Sequence, residues 1–128
     1  MRSALSLLLV LALVPGCAAL VVSGGAVLAS QGVIEDSTYV LQVKLPVNQA
    51  WASSKTTLSH LSLKPIDTDD EARKATASID NATVTVTVEA FDLDQSMVKV
   101  SAKKFGIRDG ATAAMVKDKI LADLEHKY

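Results

Sequence analysis

The apolar patterning of this chain predicts an α+β fold, a two-layer sandwich with two helices on one face of an antiparallel sheet. Two observations carry that prediction. Residues 83–90 and 97–103 alternate between apolar and polar side chains, which is typical of half-buried strands. Residues 47–61 and the segment after Asp109 repeat at three- and four-residue spacing, which is typical of amphipathic helices. The expected order is β-α-β-β-β-(β)-α, with four to five strands.

The first predicted strand covers residues 38–45, which alternate cleanly. Pro46 ends it and favours a helix start, because its fixed φ suits the first helical turn. The apolar face of the following helix is predicted to consist of Val47, Ala50, Trp51, Ser54, Leu58 and Leu61. Pro65 stops this helix. A short extra strand is expected around residues 64–68.

A tight hairpin is predicted at Asp80-Asn81, because both residue types tolerate left-handed backbone. Residues 75–79 precede the turn and residues 83–90 follow it. The last predicted strand covers residues 97–103. In residues 83–90 the valines face one way and the threonines the other, so the threonine face is expected to be left to solvent or to a partner.

The terminal helix is predicted to begin after Gly106, which breaks the last strand, with Asp109 as its cap. Its apolar stripe comprises Ala113, Val116, Ile120, Leu121 and Leu124. A single α+β domain is therefore expected over residues 37–128, long enough for one modest core.

The N-terminus carries a short basic segment with Arg2, an apolar run over residues 4–14, and then Pro15, Gly16 and Cys17. This arrangement resembles the lipobox of bacterial lipoproteins. The resemblance implies signal cleavage between Gly16 and Cys17, with acyl chains attached to the Cys17 thiol. Residues 1–16 would then be a signal peptide, and residues 17–36 a lipidated N-terminus and apolar, flexible tether.

Ala18 follows the cysteine, a position where lipoproteins retained at the inner membrane usually carry Asp. The resemblance therefore implies a lipid anchor in the outer membrane, with the domain on the periplasmic face. Two alternatives stay open: an uncleaved inner-membrane anchor over residues 4–22, and a soluble periplasmic protein cleaved after Ala29. Arg2 holds the N-terminus in the cytoplasm in every case, so export is expected.

Beyond the lipobox, nearly the whole chain resembles one family. The Gly16–Ala19 lipobox, the helix start at residues 47–51, the alternating strands and the Phe105–Asp109 turn into a terminal helix are similar to small bacterial lipoproteins of domain of unknown function 3568. That family has no assigned activity, so the resemblance implies no catalytic residues.

The formal net charge of −1 at pH 7 does not suggest a nucleic-acid partner. His60 and His126 are interpreted as surface or helix-end residues, because no nucleophile or second ligand sits at a motif spacing. A calcium loop beginning at Asp67 would have Ala72 where glycine is needed and Ser78 where a bidentate glutamate is needed. No metal, cofactor or catalytic site is therefore predicted.

One cluster of charge stands out. Lys99, Lys103, Lys104 and Arg108 form a candidate basic contact strip, able to meet phosphate headgroups or an acidic partner. The alternative interpretation is a sheet edge kept soluble by lysines.

The expected function is a non-catalytic interaction or structural module of the envelope, held to the membrane by its N-terminal lipid and contacting an envelope protein. The alternative is a binding module that holds a small apolar ligand or lipid between sheet and helices. That alternative requires a cavity of several hundred Å³. A core filled by Trp51, Leu58, Val86 and Ile120 would oppose it.

Overall fold

The computed structural model describes residues 27–34 and 37–128. Gly16 and Cys17, the predicted cleavage and lipidation site, lie outside the described residues. The helices and strands are β1 (Leu28–Ile34), β2 (Thr38–Val43), α1 (Val47–Leu61), β3 (Asp67–Asp69), β4 (Lys74–Ile79), β5 (Ala82–Asp92), β6 (Gln95–Lys104), β7 (Ile107–Arg108) and α2 (Gly110–Lys127). The α+β class and the two helices are confirmed.

The sheet is larger than predicted. Over the described residues it has seven strands rather than four to five, in the order β1-β2-β6-β5-β4-β3, with β7 also paired to β6. Every pairing is antiparallel. The two additional strands are β1, which lies within the range predicted as a tether, and β7, which lies within the predicted turn into the last helix.

The described part of the fold already includes Val27, ten residues before the predicted boundary at residue 37. Val27 and Leu28 are buried, with 4% and 5% of their surface exposed. The Lys44 N–H donates a 2.7 Å hydrogen bond to the Val27 carbonyl, and β1 continues along β2 as the edge of the sheet. The rest of β1 is exposed, so Val27 and Leu28 alone tie this edge to the core.

Both helices pack on the same face of the sheet. The core side chains from the strands alternate along β2, β4, β5 and β6, as the period of two requires. The largest fully buried side chains include Leu41, Leu58, Ile120, Leu124, Val84, Val86, Val98 and Val100. Trp51 is also buried, so the four residues whose packing would oppose an internal ligand cavity all belong to the core.

Two local predictions are confirmed in detail. Asp80 and Asn81 adopt left-handed backbone, with φ of 51° and 64°, and they join β4 to β5 in a two-residue turn. Asp109 caps α2, since its side chain accepts a 3.1 Å hydrogen bond from the Thr112 N–H.

Along residues 27–34 and 37–128, no helix has the length and apolar character needed to span a membrane.

Candidate functional site

The face of the sheet that the helices do not cover is polar, and we call it the open face. It is formed by the side chains that alternate with the buried valines. Its hydroxyl groups align across three strands, because Thr76 lies opposite Thr85, and Thr85 lies opposite Ser101. The next row carries charge, since Lys74 lies opposite Thr87 and Thr87 opposite Lys99. The threonine face predicted from the sequence is therefore a continuous surface across β4, β5 and β6.

The open face contains three residues of the predicted basic strip. Lys103 pairs with Arg108 on one side and with Thr83 on the other, so all three side chains share the open face. Lys99 lies on the same face and bonds to Glu89 at 3.2 Å. Lys104 follows the parity of the buried Ala102 and points to the opposite side of the sheet. The strip is therefore divided between two surfaces.

Two shallow clefts run along this part of the open face. One, of about 300 Å³, is lined by Lys74, Thr83, Thr85, Ser101, Ala102 and Lys103. The other, of about 200 Å³, is lined by Ser37, Thr38, Ser101, Ala102, Lys103 and Arg108. Because Ser101, Ala102 and Lys103 line both, the clefts form one groove across the strands. Its hydroxyl and cationic side chains suit an anionic or hydrogen-bonding partner.

The acidic run over residues 67–71 has a structural role in the fold. The Trp51 Nε1–H donates to Asp70 Oδ1 at 2.9 Å, and Lys55 Nζ lies 3.0 Å from the same oxygen. The hydrogen bond from Lys55, and then that from Trp51, lowers the pKa of Asp70. Asp69 accepts hydrogen bonds from the Glu71 and Ala72 N–H groups and shapes the turn.

In the part of the chain that the structure describes, no three His, Cys, Asp or Glu side chains are grouped to hold a metal ion.

A separate cleft of about 200 Å³ lies between the two helices. It contains both histidines of the chain, His60 from α1 and His126 from α2, together with Asp123. The sequence suggested a surface or helix-end position for each histidine and did not suggest that they share a cleft. Thr57 donates a 2.7 Å hydrogen bond to Asp123 Oδ2, which links the two helices. This hydrogen bond, helped by the charge of Lys119, lowers the pKa of Asp123.

The link between Thr57 and Asp123 predicts a pH-dependent stability difference. A carboxylate whose pKa is lowered in the folded state stabilises the fold above its unfolded pKa, and that contribution is lost as the pH falls through the folded value. We therefore expect Thr57→Val to destabilise the protein at pH 7, and the deficit to shrink below about pH 4. Urea unfolding at pH 7 and pH 3 measures it.

Thr56→Val is the matched control for this prediction. Thr56 is exposed, and its hydroxyl donates to the Ala52 carbonyl rather than to a carboxylate. The effect of Thr56→Val should therefore be the same at both pH values. A deficit for Thr57→Val that stays constant on acidification would contradict the role assigned to Asp123.

Comparison with known proteins identifies a family. A family model described as "Protein of unknown function (DUF3568)" matches residues 2–122. No curated protein matches the chain. The matched range covers the N-terminal apolar segment and almost the whole sandwich.

Proposed function

Because the chain belongs to the DUF3568 family of proteins of unknown function, we propose a role that rests on its own residues: a lipid-anchored module of the cell envelope. It sits on the periplasmic face of the outer membrane, held by acyl chains on Cys17. It works by contact with another envelope component and does not catalyse a reaction.

The open face is the observation that carries this role. A sheet that buries one face against helices usually leaves the other to solvent, where isolated charges are enough for solubility. Here the uncovered side carries aligned hydroxyls from Thr76, Thr85 and Ser101, beside the cations of Lys74 and Lys103. Hydroxyl and ammonium groups in register offer a partner several hydrogen bonds from a rigid surface.

The lipid anchor is supported by the N-terminal sequence. Cys17 is the single cysteine in the chain, so it has no internal disulfide partner. Each buried methylene of an acyl chain contributes about 0.8 kcal/mol, and two or more chains hold a protein stably. The stretch from Cys17 to Leu28 extends at most about 40 Å, which keeps the sandwich close to the bilayer.

Cys17→Ser tests the anchor. We expect the wild-type protein from membranes to begin at Cys17 and to carry the mass of its acyl chains. The serine variant should lose that added mass and its detergent-dependent mobility, because a hydroxyl does not accept the lipid in place of the thiol. Intact-mass measurement and membrane fractionation show both effects. Ser23→Ala, in the same stretch, should behave as the wild type.

Photo-crosslinking in the same membranes tests the contact. A photoreactive residue at Thr85, on the open face, should capture the same envelope protein in repeated preparations. The same residue at Ser59, exposed on α1, should not capture it. If the wild-type protein from membranes carried no acyl chains, the proposed lipid anchor would be wrong. If Thr85 and Ser59 captured the same protein equally well, the open face would not be the contact surface.

A further inference from the structure

The hairpin between β6 and β7, residues 103–108, exposes two large apolar side chains at its tip, and we call it the basic hairpin. Phe105 and Gly106 form a two-residue turn with φ of 53° and 78°. Phe105 is 87% exposed and Ile107 is 73% exposed. The sequence of this hairpin, Lys-Lys-Phe-Gly-Ile-Arg, places cations on both sides of the apolar tip. The paired strands hold the tip in a fixed position away from the core.

A third exposed apolar side chain lies at the same end of the fold. Leu63, just after α1, is fully exposed and is followed by Lys64. The neighbouring Ser62 hydroxyl lies 2.7 Å from the Lys64 carbonyl and 3.3 Å from the Ser78 carbonyl, which places this turn beside the end of β4. Ser78 lies opposite Thr83, and Thr83 lies opposite Lys103, so Ser78 and Lys103 are about 10 Å apart across the sheet. This end therefore combines apolar tips with cations.

Two carboxylates lie next to the hairpins at this end. Asp80 is exposed in the β4–β5 turn, and Asp109 follows the basic hairpin. The Asp109 carboxylate accepts hydrogen bonds from the N–H and hydroxyl of Thr112, and these lower its pKa. Lys103 and Lys104, which precede the tip, carry the local positive charge.

The opposite end of the sheet provides a contrast. The turn between β5 and β6 also exposes an apolar tip, since Leu93 is 90% exposed. That tip is flanked by Asp92 and Asp94, and the Asp92 side chain accepts a hydrogen bond from the Asp94 N–H. Two hairpin tips of similar exposure thus differ in the sign of the charge beside them.

We propose that the basic hairpin is a membrane-contact site that inserts Phe105 and Ile107 into the interfacial region of an anionic phospholipid bilayer. Apolar side chains enter the boundary between headgroups and acyl chains, while Lys103 and Lys104 extend their ammonium groups to lipid phosphates. The attraction between juxtamembrane cations and anionic lipids adds to the apolar burial. This contact is noncovalent and does not depend on acylation of Cys17.

The geometry allows both attachments to reach one bilayer. Leu28 pairs with Val43, and Val43 pairs with Ser96 at the start of β6, whereas the basic hairpin follows the end of β6. The chain therefore enters the sheet at one end and contacts lipid at the other. The ten residues of β6 span about 33 Å, comparable with the reach of the stretch from Cys17 to Leu28. With both attached, the long axis of the sheet lies along the membrane.

Tryptophan placed at each hairpin tip in the full chain tests the proposal. The variants are Phe105→Trp, at the basic hairpin, and Leu93→Trp, at the acidic tip. Trp51, the single native tryptophan, is buried, so its emission is the same in every variant. Subtracting the wild-type spectrum removes it. The probe is a vesicle of phosphatidylcholine and phosphatidylglycerol, with bromine-labelled lipid as a quencher. The apolar N-terminal segment is the same in all variants, so the comparison isolates the tips.

We expect the emission of Phe105→Trp to shift to shorter wavelength in these vesicles and to be quenched at least about twofold more than that of Leu93→Trp. The difference should disappear in vesicles of phosphatidylcholine alone, or when Lys103→Glu and Lys104→Glu are added. Rising salt should weaken the response, because surface charges are screened.

Two results would overturn the proposal. Equal quenching at both tips would show that the contact comes from the N-terminal segment rather than from the hairpin. If the tryptophan emission of Phe105→Trp did not change in anionic vesicles, the hairpin would not bind a lipid surface. An acidic protein would then be the partner of the basic hairpin. Both results are independent of acylation, so this proposal and the lipid anchor can fail separately.

Discussion

Replacing Leu58 with alanine should lower the free energy of unfolding by about 3 kcal/mol, the largest effect on stability that we expect from a single substitution. Leu58 lies on the inner face of α1 and has no exposed surface. Its removal takes away apolar contacts and leaves a cavity, because the helix is held against a rigid sheet on one side and α2 on the other. Urea unfolding followed by circular dichroism measures the loss.

Leu63→Ala is the matched control, since it makes the same chemical change five positions along the chain. Leu63 is fully exposed, so its truncation should change the stability by no more than about 0.5 kcal/mol. If the two variants were equally stable, α1 would not be packed against the sheet as the structure has it.

Replacing Ser54 with alanine should raise the free energy of unfolding by about 1.5 kcal/mol. Ser54 has no exposed surface, and among the described residues its hydroxyl has no hydrogen-bond partner. A buried hydroxyl without a partner loses its hydrogen bonds to water on folding and gains none in exchange. Alanine removes that cost and is also a better helix former.

Ser59→Ala separates the two contributions to this gain. Ser59 is exposed on the same helix, so its replacement gains only the helix propensity, about 0.5 kcal/mol. Thermal unfolding of both variants should show the larger increase in Tm for Ser54→Ala. A decrease in Tm for Ser54→Ala would mean that the Ser54 hydroxyl is satisfied in solution.

Most of the fold could be predicted from the sequence, because the deciding interactions are local. The period of two in residues 83–90 can bury one face only as a strand, and the spacing from Val47 to Leu61 can do so only as a helix. Asp80 and Asn81 form their turn through their own left-handed backbone. Asp109 caps the helix by accepting a hydrogen bond from the N–H group of Thr112, three residues along the chain. Their positions were therefore predictable without the partner strands.

The two missed strands have no such signal. β1 is an edge strand with most of its surface exposed, so nothing forces its side chains to alternate. Its pairing depends on β2, which a pattern within β1 does not reveal. β7 has only two residues, too few for a period, and its pairing with Lys103 and Lys104 follows from the turn at Phe105.

The candidate site was only partly predictable for the same reason. The position of Lys99 and Lys103 on the threonine side follows from alternation, whereas the location of Lys104 on the other side required the strand to continue one residue further. The grouping of His60 and His126 depends on how α1 packs against α2, which the sequence of either helix alone does not specify. The signal that could have indicated the basic hairpin was Phe105 beside Gly106, with cations on both sides.

The burial of Val27 and Leu28 has a mechanical consequence. Tension applied to the chain before Val27 would act on these two residues, which are buried in the core, and on the hydrogen bond from Lys44 to Val27. Beyond them, the exposed pairs of β1 and β2 would peel apart one after another under the same load. We therefore expect the resistance of this edge to pulling to depend on two buried side chains at the start of the sheet.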